Sequence, residues 1–166
     1  MTEQSRLQEF LFPRVTPRFL LRAAAVALGT YLLFGHVLIP MIVRGHSMDP
    51  TYRDGGFTFC FTGAYLFGGP KRGDVVAVRL AGRKVMLLKR VVALEGEEVA
   101  FRAGVLQVDG RAVEEPYVKS PCDWELEPRR VEKGCVYLVG DNRGMAAEQH
   151  DFGQTPVARI VGRPLW

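Results

Sequence analysis

From Ala23 to Val43 the chain runs AAAVALGTYLLFGHVLIPMIV without a full charge. About 20 apolar residues, rising ~1.5 Å each in a helix, cover roughly 30 Å, the hydrocarbon thickness of a bilayer. This stretch predicts a membrane-spanning helix. Arg14, Arg18 and Arg22 precede it. Arginines at a membrane flank stay on the cytoplasmic side, so the N-terminus is expected inside and everything after Val43 outside. His36 and Pro40 lie towards the far end, where interfacial water tolerates them. The expected division is a tail at 1–18, an anchor at 19–43 and an extracytoplasmic domain at 44–166. A cleaved secretory signal fits less well, because the run exceeds the usual apolar region of about 7–15 residues and no A-x-A follows it. A buried helix of a soluble domain is the remaining alternative.

The rest of the chain is short apolar runs broken by turns. FTFCF, VVAVRL and VMLLKRVVAL are separated by GGPKRGD and AGRK. Val-rich runs of this length with Gly and Pro punctuation predict β-strands. Ala103–Gly104 and Asp109–Gly110 bracket VLQV, which predicts a hairpin. VYLVGD and ARIVG are expected as closing strands, and the polar stretch Pro116–Lys133 as a surface excursion. The fold class is mostly β with one N-terminal helix. In 166 residues the three cysteines are too few for a disulfide scaffold, and no C-x-x-C pair is present. A net charge of +4 without a Lys/Arg run argues against a nucleic-acid partner. No ligand cluster or phosphate-cradling Gly loop is visible, so no metal, nucleotide or other cofactor is expected.

Two residues carry candidate chemistry. The apolar run leads into RGHSMDPT, where Gly45 and Pro50 force a turn around Ser47. A serine there would stand at the bilayer surface, but a free hydroxyl needs a base within reach to attack a carbonyl. In VMLLKRVVA, alternation puts Leu87, Lys89, Val91 and Ala93 on one face and Leu88, Arg90 and Val92 on the other. Lys89 therefore has apolar neighbours on its own face. Burial disfavours an ammonium and lowers its pKa towards neutrality, as a lysine base requires. Arginine does not lose its proton and could not substitute. The opposing reading makes Lys89 an edge-strand charge reaching water and Ser47 a structural turn residue. His150, followed by Asp151, offers a rival Ser47–His150–acid triad. His46 should point away from Ser47 in extended backbone. The S-x-x-K pattern is absent, because Pro50 stands three residues after Ser47.

The order of a membrane helix, G-H-S-M-D-P-T, K-R-G-D-V-V-A-V, L-L-K-R-V-V-A-L-E-G-E, G-D-N-R and F-G is similar to bacterial type I signal peptidases, from about Leu20 to Gly162. The resemblance implies a membrane-bound serine endopeptidase of the bacterial inner membrane that removes signal peptides from exported preproteins, with a Ser–Lys dyad in a β-rich domain. Its partners would be signal peptides and the lipid bilayer. Ser47 matches the nucleophile and Lys89 the general base. The oxyanion donors would be the Ser47 N–H and a backbone contribution at Gly45, where some members carry a hydroxyl. Val43, Met48, Leu87 and Leu88 match shallow pockets for small substrate side chains. Asp141, Asn142 and Arg143 match a structural motif, and Asp141 is expected to pair with Arg90. AGVLQVDGRAVEEPYV resembles the family's small second β-region, giving an insertion at about 100–133.

The departures cluster after G-D-N-R. The family usually has a serine that bonds the lysine, then an aspartate and an arginine. Ala146, Glu148 and His150 stand there, and Glu148 could still serve as the acid. Gly55–Gly56 stands where Gly–Asp is common. These changes leave open a weak or inactive peptide-binding relative, or a specialised Ser–Lys peptidase with narrow substrates. The self-cleaving domain of SOS-type repressors looks alike around S-M and K-R, but a membrane helix replaces its DNA-binding N-terminus. An aromatic-rich stretch, Phe57 to Phe67, is either an interfacial surface or a strand burying alternate rings. A Cys122–Cys135 disulfide fits an oxidising compartment, whereas Cys60 is expected as a buried thiol.

Overall fold

The computed structural model describes residues 15–79, 86–147, 150 and 153–166. Two compact units are present, residues 1–37 and residues 38–166.

The first unit is helix α1, Pro17–Leu32, continued by a π-helical turn at Leu33–Val37. Thr16 caps its start, its hydroxyl accepting from the Phe19 N–H at 3.2 Å. Pro17 follows at the first helical position, where its missing donor costs nothing. Helical chain from Pro17 to Val37 spans 21 residues, long and apolar enough to cross a membrane, and none of its most apolar window is buried. The expected helix to Val43 ends earlier. Leu38–Ile42 is strand β1, because Pro40 breaks an i to i−4 ladder and the flanking Ile residues favour extended backbone. The apolar helical segment therefore begins and ends before the expected 19–43, and most of the expected tail lies outside the described residues.

The second unit holds two antiparallel sheets. The larger has seven strands in the order β1, β2 (Phe57–Phe61), β11 (Ile160–Pro164), β3 (Val75–Arg79), β4 (Met86–Ala93), β9 (Cys135–Val139) and β10 (Gly153–Pro156). The smaller has four, in the order β7 (Arg111–Ala112), β6 (Val105–Val108), β5 (Glu98–Arg102) and β8 (Leu126–Arg130). The hairpin expected around VLQV is β5–β6. Its turn residues, Ala103 at φ 46° and Gly104 at φ 76°, are both left-handed, as the tightest hairpin turns require. Asp109 and Gly110, at φ 50° and 72°, repeat the device between β6 and β7.

The two faces of β4 separate two cores. Leu88 packs with Ala77, Val75, Met41, Val43, Met48 and Cys60. On the other face Val91 packs with Val76, Val78, Val136 and Leu138. A third core joins the small sheet to β9 and is built on Phe101, Leu106, Trp124, Tyr137 and Val139. The stretch Pro116–Lys133 is thus only partly a surface excursion. Trp124 is buried and meets the Phe101 ring edge-on at 5.6 Å, and Leu126–Arg130 adds strand β8. All three cysteines are free thiols, Cys122 and Cys135 lying at the same core. Burial pushes the Cys60 thiol up to about 11, as expected of an enclosed cysteine.

Phe101 is fully buried where the sheets meet. Phe101→Ala should lower the unfolding free energy of the strand domain by about 3–5 kcal/mol. Urea unfolding followed by near-ultraviolet circular dichroism measures it, and a loss below about 1 kcal/mol would show that the small sheet is not packed as described.

Candidate active site

Ser47 lies in the loop between β1 and β2. Val43 ties the base of this loop together. Its N–H donates to the Gly56 carbonyl at 2.7 Å, and its carbonyl accepts from the Gly55 N–H at 2.9 Å. Gly45 has φ +87°, and its N–H donates to Asp54 Oδ1 at 2.7 Å. The backbone donor expected at Gly45 is therefore taken up by Asp54. Met48 turns into the core beside Val43 and Leu88, while Ser47 stays half-buried.

The far wall is the turn after β9. Arg90 pairs across the ladder with Val139, the last residue of β9, and Gly140 follows it. Gly140 has no side chain because there is no room for one. A Cβ there would lie 2.2 Å from the Ser47 carbonyl oxygen and 2.9 Å from His150 Cε1. The Ser47 loop and the His150 ring thus close over Gly140, the first residue after β9. Lys89 is only 3% exposed. Its face carries Val91, with Val76 opposite it on β3.

Hydrogen bonds hold the loop and turn together. The Asn142 N–H donates to the Ser47 carbonyl at 3.0 Å, and Asn142 Nδ2 donates to the His46 carbonyl at 2.9 Å. Thr51 donates its hydroxyl proton to Asp141 Oδ2 at 2.6 Å. Asp141 also pairs with Arg90, as expected, accepting from Nε at 2.8 Å and Nη2 at 2.6 Å. Such a fork is the strong form of a carboxylate–guanidinium contact. Burial works against the Arg90 charge, but the hydrogen bonds and charge of Asp141 outweigh it and raise its pKa. Arg143 is buried and donates to the Gly140 carbonyl at 3.0 Å.

The histidines divide. His46 is exposed and lies 2.8 Å from Asp49, in a bend rather than the extended backbone expected there. His36 meets Tyr31 edge-on within the helical unit. His150 is buried, with Nε2 2.8 Å from the Asn142 carbonyl and Trp124 edge-on at 4.8 Å. A carbonyl only accepts, so Nε2 carries the proton and is spent on the turn. This weakens the triad reading, whose acid, Asp151, lies outside the described residues, as does Glu148. Ala146 is exposed. Leu87 is half-buried on the opposite strand face from Leu88. Val43, Met48 and Leu88 are gathered in one apolar cluster; Leu87 is not. On the β9 side the Met86–Leu88 edge of β4 has no strand partner among the described residues.

The family described as signal peptidase, peptidase S26, matches residues 17–166. The chain belongs to this family. Thylakoidal processing peptidase 1, chloroplastic, of Arabidopsis thaliana is 32% identical over 157 residues, covering 87% of this chain and 46% of the relative. Signal peptidase I of Bacillus caldolyticus is 30% identical over 154 residues, covering 84% of this chain and 83% of that one. A solved signal peptidase I from Enterococcus faecalis is 22% identical with a TM-score of 0.46, covering 57% of this chain and 95% of that one. The chain spans under half the length of the Arabidopsis relative.

The contact at Gly140 makes a direct test of this geometry in an S26 chain. Gly140→Ala should lower stability by about 1–3 kcal/mol through overpacking, and it should widen the gap between the Ser47 loop and the sheet. Urea unfolding and amide hydrogen exchange at Asn142 are the measurements. Unchanged exchange at Asn142 would mean that the loop does not rest there.

Proposed function

We propose that this chain is a membrane-anchored serine endopeptidase that cleaves signal peptides from exported preproteins. The observation that supports the reading is the burial of Lys89 on β4, in a chain whose Ser47 loop packs onto the turn after β9 that Asp141 ties to the neighbouring Arg90. An amine enclosed in this way favours its neutral form, the form that can take a proton. Lys89 Nζ accepts the proton of Ser47 Oγ, and Oγ attacks the scissile carbonyl carbon. The Ser47 N–H is the donor for the resulting oxyanion, since the Gly45 N–H is bonded to Asp54. The Lys89 ammonium then protonates the leaving amine, and the neutral amine activates the water that releases the acyl group.

The substrate class follows from what the site offers. An extended segment can add along the unpartnered Met86–Leu88 edge, with alternate side chains turned towards the cluster of Val43, Met48 and Leu88. Those residues fill their space, which suits small substrate side chains. The proposed location is the bacterial inner membrane, with the N-terminus cytoplasmic and the strand domain outside. The apolar segment Pro17–Val37 and the arginines at its start support this. Ile42, Phe57, Leu66, Phe67, Leu165 and Trp166 are exposed on the strand domain. Trp166 Nε1 donates to the Phe57 carbonyl at 3.2 Å, and its ring meets Phe59 edge-on at 5.7 Å. These three adjacent strands, β1, β2 and β11, end in an apolar surface suited to the lipid interface.

Ser47→Ala and Lys89→Met should each reduce cleavage of a preprotein in vesicles by at least about 10³-fold, and Lys89→Arg should not rescue it. Wild-type activity should climb as pH rises and the amine loses its proton, then level off. Undiminished processing by either variant would leave a tethered peptide-binding domain, and an acid optimum would remove Lys89 as the base. Separately, brominated lipids should quench Trp166 fluorescence in the full-length protein and leave Trp124 bright. Equal quenching, or none, would remove the lipid-facing surface.

A further inference from the structure

The residues that fix the Gly140–Arg143 turn come partly from a segment that the dyad reading does not use. After β7 the chain runs V-E-E-P-Y, and Glu115 and Tyr117 turn inward. The Glu115 carboxylate receives a fork from Arg143, with Nη1 at 2.8 Å and Nη2 at 2.5 Å. The Arg143 and Glu115 side chains are 1% and 9% exposed, so the pair is dry. The Tyr117 hydroxyl donates to Glu115 Oε1 at 2.6 Å. Its ring lies beneath the other arginine, with Arg90 Cζ 3.8 Å from the ring centre. One short segment therefore touches both cations of the site. Arg90 holds Asp141 and Arg143 holds the Gly140 carbonyl, and between them Asn142 holds the Ser47 carbonyl.

We propose that Glu115 and Tyr117 are positioning residues for peptide cleavage, a strut from the small sheet that sets the turn on which the Ser47 loop rests. This deepens the peptidase reading above and rests on it. Neither residue touches the reacting atoms. They act through Arg143 and Arg90, which a planar fork and an aromatic face hold in direction as well as in position. From Glu115 the path runs through the Arg143 side chain to the Gly140 carbonyl, and two residues on in the same turn the Asn142 N–H donates to the Ser47 carbonyl. A shift of the turn moves the nucleophile relative to Lys89, and misplacements of this order cost rate rather than substrate affinity. The small second sheet is then part of the catalytic apparatus.

The test uses the full-length protein in vesicles with a fluorogenic signal-peptide substrate. Glu115→Gln and Tyr117→Leu should lower kcat by about 10- to 100-fold with KM within about twofold. Tyr117→Phe keeps the ring beneath Arg90 and should recover most of what Tyr117→Leu loses. The folded fraction is measured in parallel by near-ultraviolet circular dichroism, and kcat is expressed per folded molecule. If Glu115→Gln does not fold, Tyr117→Leu decides alone, because it leaves both ion pairs intact. Normal kcat per folded molecule in Tyr117→Leu, or a loss confined to KM, would overturn the strut while leaving the peptidase reading intact. A wild-type chain that cleaves nothing would overturn both.

Discussion

Strand β4 buries two cationic side chains in succession, Lys89 and Arg90, and each demands a different solution. A guanidinium keeps its proton, so Arg90 must be met by a carboxylate or left as an uncompensated charge, which would cost about 3–5 kcal/mol. Asp141 meets it with a fork, and the demand draws the turn after β9 onto β4. That turn carries Gly140, and Gly140 is where the Ser47 loop and the His150 ring close against the sheet. Lys89 needs no such partner to be chemically competent, since an enclosed amine can shed its charge. The pairing of a cation that cannot neutralise with one that can therefore organises the site. The first assembles the walls, and the second supplies the proposed chemistry.

The elements most legible in the sequence were those set by local rules. Alternation in VMLLKRVVA divides Leu87 and Lys89 from Leu88 and Arg90, because a strand has only two faces, but it fails at Val92 and Ala93, which a bulge after Val91 brings into one core. The Ala-Gly and Asp-Gly pairs around VLQV mark their turns because few residues accept left-handed backbone. The end of the helix was less legible, since an apolar run looks the same whether lipid or a strand partner covers it. β1 is decided by its pairing with β2, whose nearest partner is Phe57, fifteen residues beyond Ile42, which no short window around Pro40 contains. Trp124 was lost inside a polar stretch for a related reason. Its neighbours along the chain are charged, and only the fold brings Phe101 and His150 to its ring. The Gly45 N–H illustrates the same limit at the site. Its capture by Asp54 is a contact within one loop, but composition does not say which of several nearby acids closes the turn.

The unpartnered edge of β4 also bears on how such a site can be selective without a deep pocket. Exposed strand edges invite promiscuous pairing, and proteins usually blunt them with charge, bulges or cover. Among the described residues the edge at Met86–Leu88 without a β9-side partner ends at the buried Lys89, so in the proposed peptidase only a short extended segment has backbone to pair with. In the proposed peptidase, Val43, Met48 and Leu88 are the apolar cluster that small substrate side chains would meet. On the peptidase reading, a third selection comes from the chain's own apolar helix. A substrate whose hydrophobic segment shares the bilayer is delivered at high effective concentration, whereas a soluble peptide of the same local sequence is not. Weak local discrimination then suffices, because co-localisation in the membrane multiplies it. In the proposed peptidase, with substrate supplied by the bilayer, the rate would then depend on how firmly the turn after β9 holds the Ser47 loop, through Asn142 and the Arg90–Asp141 fork.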